Sequence, residues 1–193
     1  MPDLVLTSEH VYLYDGKVVP GVTTILSRTG LADFSYIPES LRDYALERGS
    51  LVHEAAHYLL EDDLDLASVD PAIAGYLQAL DKFIHHSDFT PELLEHKVFD
   101  PISWYAGTLD SVGNFPTLGR TIVDWKTGGM DAVRWQLAAY GRLVAPPVYN
   151  RVAVKLNKDG TYKLKHFPAS TFKKDEADFL AARRVFGLLE QGA

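Results

Sequence analysis

Three segments in the middle of this 193-residue chain, 94–100, 104–112 and 121–125, alternate in polarity or are rich in β-branched and aromatic residues. Pro101, Gly113, Asn114, Pro116 and Gly119 punctuate them, so they read as three strands of one sheet. Segments of helical period flank this block. Residues 40–60 carry Leu41, Tyr44, Ala45, Leu51, Val52, Ala55, Ala56, Leu59 and Leu60 at a spacing near 3.6, with Gly49 as the weak point. Pro71 is read as opening a second helix with Ile73, Tyr76, Leu77, Leu80, Phe83 and Ile84. Beyond the strands, 131–144 repeats the pattern until Pro146-Pro147 stop it. Strands at 150–156 and 162–167 then flank Asn157-Lys158-Asp159-Gly160 as a hairpin, and Ser170 is read as the N-cap of a last helix. A first hairpin is expected at 11–14 and 17–19 around Asp15-Gly16. This order predicts an α/β fold, a mixed central sheet covered by helices.

Length favours a single domain over 1–193, since domains run to roughly 150 residues. Within it, 1–90 hold the first hairpin and helices, 91–145 the central sheet and its helix, and 146–193 a basic hairpin and the last helix. With 47% hydrophobic and 23% charged residues, a disordered chain is excluded. The absence of cysteine removes disulfides, thiolate zinc sites, iron–sulfur clusters and cysteine nucleophiles together. Neither a signal peptide nor an apolar run approaching 18 residues is apparent, so a cytoplasmic protein with no membrane partner is expected. The net charge of −7 argues against a polyanionic partner only as an average. Residues 1–100 hold 18 acids and 6 bases, whereas 151–174 hold seven bases and Asp159 alone. That basic segment is expected to be a surface able to follow a phosphate backbone.

Gly107-Thr108-Leu109-Asp110 ends one expected strand, and Ile122-Val123-Asp124-Trp125-Lys126-Thr127-Gly128 ends the next. If the two pair antiparallel, Asp110 and Asp124 converge, and Lys126, two residues on, shares the face of Asp124. Two carboxylates suit a hard cation such as Mg²⁺, which keeps waters and shares a substrate phosphate. A lysine beside them orients or deprotonates a bound water and offsets charge in a phosphoryl transition state. Alone, Asp124-x-Lys126 would be an ordinary strand-end salt bridge.

It is not alone, and these residues resemble the PD-(D/E)XK nuclease superfamily, in its RecB-like and phage recombination exonuclease branch. Gly49-Ser50-Leu51-Val52-His53 is similar to the helix element that supplies a histidine ligand. Glu95 stands where a strand glutamate often lies, Gly107-Thr108-Leu109-Asp110 and Asp124-Trp125-Lys126-Thr127-Gly128 follow, and Gln136-Leu137-Ala138-Ala139-Tyr140 matches the element on the next helix. The order agrees over residues 20–145. The resemblance implies a restriction-endonuclease-like core and a deoxyribonuclease, in this branch an exonuclease of recombination, repair or phage DNA processing. It implies Mg²⁺ or Mn²⁺ held by His53, Asp110, Asp124 and the Trp125 carbonyl, with Lys126 positioning water and Glu95 in support. Gln136 and Tyr140 would orient Lys126 or a phosphate. DNA is the implied partner, beside a homo-oligomer or a recombination partner protein. The chain departs from the iron–sulfur members in lacking their cysteine cluster.

A competing motif overlaps the first element. His53-Glu54-Ala55-Ala56-His57 fits HExxH, two histidines one helical turn apart for zinc with Glu54 as general base. That reading leaves Asp110, Asp124 and Lys126 unused. A non-catalytic DNA-binding module of the same fold is the other alternative. His85, His86 and His96 read as surface or packing residues rather than ligands, and Trp104, Trp125 and Trp135 as core.

Overall fold

The computed structural model describes residues 3–32 and 38–192, and of residues 39–42, Leu41 included, the backbone only. A small antiparallel sheet comes first, β1 (Leu4–Leu6), β2 (Tyr12–Tyr14) and β3 (Lys17–Val19). Asp15 and Gly16 both take positive φ in its tight turn, the conformation that favours their residue types. Helices α1 (Val22–Arg28), α2 (Glu39–Leu60) and α3 (Ala74–Ser87) follow. Then β4 (Thr90–Asp100), β5 (Tyr105–Phe115) and β6 (Gly119–Lys126) run antiparallel to one another in turn. Parallel neighbours need a crossover, and α4 (Val133–Gly141) supplies it between β6 and β7 (Asn150–Leu156). The edge strand β8 (Tyr162–Phe167) pairs antiparallel with β7, and α5 (Ala169–Gln191) follows. The result is a five-stranded mixed sheet ordered β4-β5-β6-β7-β8.

Helices cover both faces. Val22, Ile25 and Leu26 of α1, Leu137 of α4 and Phe179 and Phe186 of α5 cluster with Ile122 and Ala153. Val52 and Ala56 of α2 and Leu77, Leu80 and Phe83 of α3 cluster instead with Val123, Trp125, Val152 and Val154. Strand alternation therefore sends even-numbered residues of β6 towards α4 and α5 and odd-numbered ones towards α2 and α3. Because both faces are covered, Thr121 to Trp125 are all buried. Among the described residues no helix is long and apolar enough to cross a membrane.

Several boundaries differ from expectation. Pro71 does not open α3: Asp70 draws the chain into a turn, its Oδ1 accepting from the Ala72 amide at 2.8 Å, and the helix starts at Ala74. Ser170 is not an N-cap, since Pro168 holds that place and Asn150 Oδ1 accepts from the Ala169 amide at 3.2 Å. Helix α4 ends short of the expected 144, at Gly141, whose Cβ, were it alanine, would stand 2.3 Å from the Val148 carbonyl oxygen. Most consequential, Arg151 belongs to the basic segment expected at the surface yet is fully buried. It donates to Asp175 Oδ2 at 2.9 Å, to the Arg134 carbonyl at 3.0 Å and to Thr171 Oγ1 at 2.8 Å, while Arg134 binds the other Asp175 oxygen. Lys174 is also engaged, on Asp178 at 2.8 Å.

Candidate metal centre

Strand register builds the site. Leu94 pairs with Ser111 and His96 with Leu109, which sets Glu95 opposite Asp110. Ser111 pairs with Val123, so the same antiparallel count sets Asp110 opposite Asp124. Three carboxylates thus stand side by side on three adjacent strands. From α2, His53 brings Nδ1 to 3.3 Å from Asp110 Oδ1, and His53, Glu95 and Asp110 offer ligand atoms that all lie within 4.8 Å of one another. Glu95 adopts φ of +43°, a left-handed conformation that costs a non-glycine residue on the order of 1–2 kcal/mol. Such strain persists where the surroundings impose it, and here it falls on a residue of the cluster.

The electrostatics follow from burying like charges together. Burial, and then the Asp110 charge, push Glu95 up to about 7. Asp124 is raised to about 6 by burial, with Asp110 adding to the rise and Lys126 opposing it. Burial draws His53 down, but Asp110 outweighs it and the imidazole stands at about 9. Burial also raises Asp110, yet His53, Lys126 and the Trp125 amide, which donates to Oδ2 at 2.7 Å, together hold it below the usual carboxylate range. Neighbouring acids pushed in opposite directions are the pattern of a site that handles protons or a cation.

Asp124 lies beside this trio without being one of its members. Lys126 Nζ donates to Asp124 Oδ1 at 3.0 Å and stands 2.8 Å from Oδ2, so its ammonium engages both carboxylate oxygens. Gln136 and Tyr140 are both buried on α4. The Tyr140 ring lies against Gly107, where an added Cβ would meet Cε1 at 2.2 Å, so this glycine is what lets α4 approach β5. Trp125 is core, its ring 5.6 Å from that of Phe83. Trp104 and Trp135 are only half-buried, a correction to their expected core role: Trp104 Nε1 donates to the Val18 carbonyl and Trp135 Nε1 to Asp178. Of the surface and packing roles open to them, His85, His86 and His96 take the surface one, all three being exposed.

The two histidines of the HExxH match do not converge. His57 Nε2 turns to Glu61 at 3.4 Å while His53 faces Asp110, and Glu54 is exposed. One residue near the site carried no motif signal. Tyr12 of β2 shares a hydrogen bond with Thr108 Oγ1 at 3.0 Å, and burial first, then the Glu95 charge, raise its hydroxyl pKa.

A cation would draw its ligands from groups that hold protons more tightly folded than unfolded. Raised pKa values contribute stability fully at low pH and lose it as pH rises, through about 6 for Asp124, about 7 for Glu95 and about 9 for His53. Asp110 runs the other way. The metal-free protein is therefore expected to weaken between pH 5.5 and 8.5, and an added cation to restore what is lost, because ligands must shed protons to bind. Thermal melts with EDTA or Mn²⁺ at both pH values check this. The Mn²⁺ increment should be the larger at pH 8.5, worth roughly 2.7 kcal/mol at a hundred times Kd, and an equal increment at pH 5.5 contradicts it.

Comparison of the sequence with protein-family models and with curated proteins returns no match.

Proposed function

We propose that this chain is a Mg²⁺- or Mn²⁺-dependent deoxyribonuclease with a restriction-endonuclease-like core, an exonuclease of the PD-(D/E)XK type. The observation that carries the reading is the convergence of His53, Glu95 and Asp110 beside an Asp124–Lys126 pair on the next strand end. The antiparallel run of β4, β5 and β6, with its α4 crossover to a parallel β7, supports the same fold assignment.

The residues fit a hard cation. The donors are carboxylate oxygens with one imidazole, a set suited to Mn²⁺ or Mg²⁺. Asp110, Asp124, His53 and the Trp125 carbonyl would hold it, with Glu95 in support. When bound, the cation supplies a Lewis acid for the phosphoryl oxygens and lowers the pKa of water. Lys126 contributes a charge of its own. Burial alone would lower its pKa, but Asp124 and Asp110 raise it above the ordinary value, so it acts as an ammonium. It therefore orients the attacking water and offsets negative charge developing on the phosphoryl oxygens. In-line attack of that water on phosphorus would form one P–O bond and break one P–O ester bond, the water's proton passing to solvent and the leaving oxygen taking one up from it, while Gln136 and Tyr140 back the site from α4.

Incubation with end-labelled linear duplex, single-stranded and closed circular DNA, with and without Mg²⁺ or Mn²⁺, tests the reading. Cation-dependent loss of linear DNA with the circle spared is expected. Asp124→Ala and His53→Ala should abolish cleavage, whereas His57→Ala should retain it. No cleavage with either cation, or equal loss in His57→Ala, overturns the assignment.

A further inference from the structure

The carboxylates on β4, β5 and β6 leave an adjacent arrangement of charge without a role. Register sets Lys126 opposite Lys155, and Lys155 opposite Lys163, so three lysines stand in line across β6, β7 and β8. In the neighbouring row Asp124, Ala153 and Lys165 lie side by side. Ile122 and Ala153 pack towards α4 and α5, so alternation places Lys126, Lys155, Lys163 and Lys165 on the sheet face that carries Asp124. At about 4.8 Å between strands, the line extends roughly 10 Å from Lys126.

Like charges directly opposite one another are unfavourable. Among the described residues, neither Lys155 nor Lys163 nor Lys165 has a carboxylate at salt-bridge distance, whereas Lys126 and Lys174 do. Lysines on an edge strand can block unwanted strand addition, which would account for Lys163 and Lys165 on β8. It does not account for Lys155, because β7 is paired on both sides. A row of cations that leads away from the carboxylate site and, beyond Lys126, has no carboxylate at salt-bridge distance among the described residues fits an external polyanion.

Resting on the nuclease reading above, we propose that Lys155, Lys163 and Lys165 form the track for one DNA strand, its phosphates crossing the sheet from Lys126 towards β8. Each lysine neutralises a phosphate without reading a base, so the contact is independent of sequence. Its position would keep the strand seated while the terminal ester lies at the carboxylates.

Fluorescence anisotropy on a labelled single-stranded oligonucleotide, in the Asp124→Asn background, measures the track apart from cleavage. Replacing Lys155, Lys163 and Lys165 together with Gln should weaken binding at least tenfold. It should also flatten the plot of log affinity against log salt by about 2, the sum of about 0.7 for each lost phosphate contact. Arginine at the same three positions keeps the charge and should restore the slope, which separates lost contacts from lost folding. An unchanged slope in the Gln variant, when the wild-type protein cleaves, overturns the track and leaves the nuclease reading intact. A flattened slope without any wild-type cleavage supports the track and overturns the nuclease reading. Absence of DNA binding in the background protein overturns the track.

Discussion

Lys126→Ala is expected to bind DNA about as well as the parent and to cut it between a hundredfold and a thousandfold more slowly, on the order of the loss when one transition-state donor is removed. The separation arises because the ammonium is already engaged before substrate arrives, 3.0 Å from one Asp124 oxygen and 2.8 Å from the other. A group so occupied adds little to ground-state binding; its value appears when charge builds at phosphorus. Single-turnover cleavage alongside anisotropy would show an unchanged Kd, within about threefold, and a collapsed rate. Because truncation also removes the packed stem of the side chain, Lys126→Met, which keeps that stem and deletes only the charge, is the companion variant. Cleavage retained in both would remove Lys126 from the chemistry and with it the main argument for phosphodiester hydrolysis.

The parts of this site that could be read from sequence are those set by local spacing. Asp124 and Lys126 share a face because strand side chains repeat every two residues, and Asp110 meets them because two strands joined by a tight turn pair antiparallel. Hairpin β7–β8 matched expectation at both strands, helped by Gly160 at φ of +74° in its turn. What escaped depends on distant contacts. Helix α1 has seven residues, too few to hold by propensity, and stands because Val22, Ile25 and Leu26 are buried in the core. Strand β4 begins four residues before 94 because a register shift between Pro91 and Leu93 absorbs the proline. Glu95 is legible only through the resemblance, and its positive φ is not; Tyr12 reaches Thr108, 96 residues on, through the small first sheet.

Arg151 is the sharpest case, and it yields the largest expected effect on stability. In sequence it belongs with six lysines; in the fold it is a fully buried guanidinium whose partner, Asp175, is equally buried on α5. Burial lowers its pKa, while the Asp175 contact opposes that shift and favours the charged form. Removing the acid strands the cation. Asp175→Ala is therefore expected to cost about 3–5 kcal/mol in urea unfolding, the range for breaking a buried pair from one side. Replacing both partners, Arg151→Met with Asp175→Leu, should recover much of that loss, because the fully buried guanidinium is gone and the Arg134 cation left by Asp175 is part-exposed to water. Full recovery is not expected: Arg151 also donates to the Arg134 carbonyl and to Thr171, and those acceptors would lose their donor. A cost below about 1 kcal/mol for Asp175→Ala would mean that water reaches Arg151 when its partner is gone. Since the pair joins β7 to α5 on the face that also carries Lys155, its loss should loosen the β7–β8 hairpin before the carboxylate strands, and amide exchange in β8 should quicken ahead of that in β5.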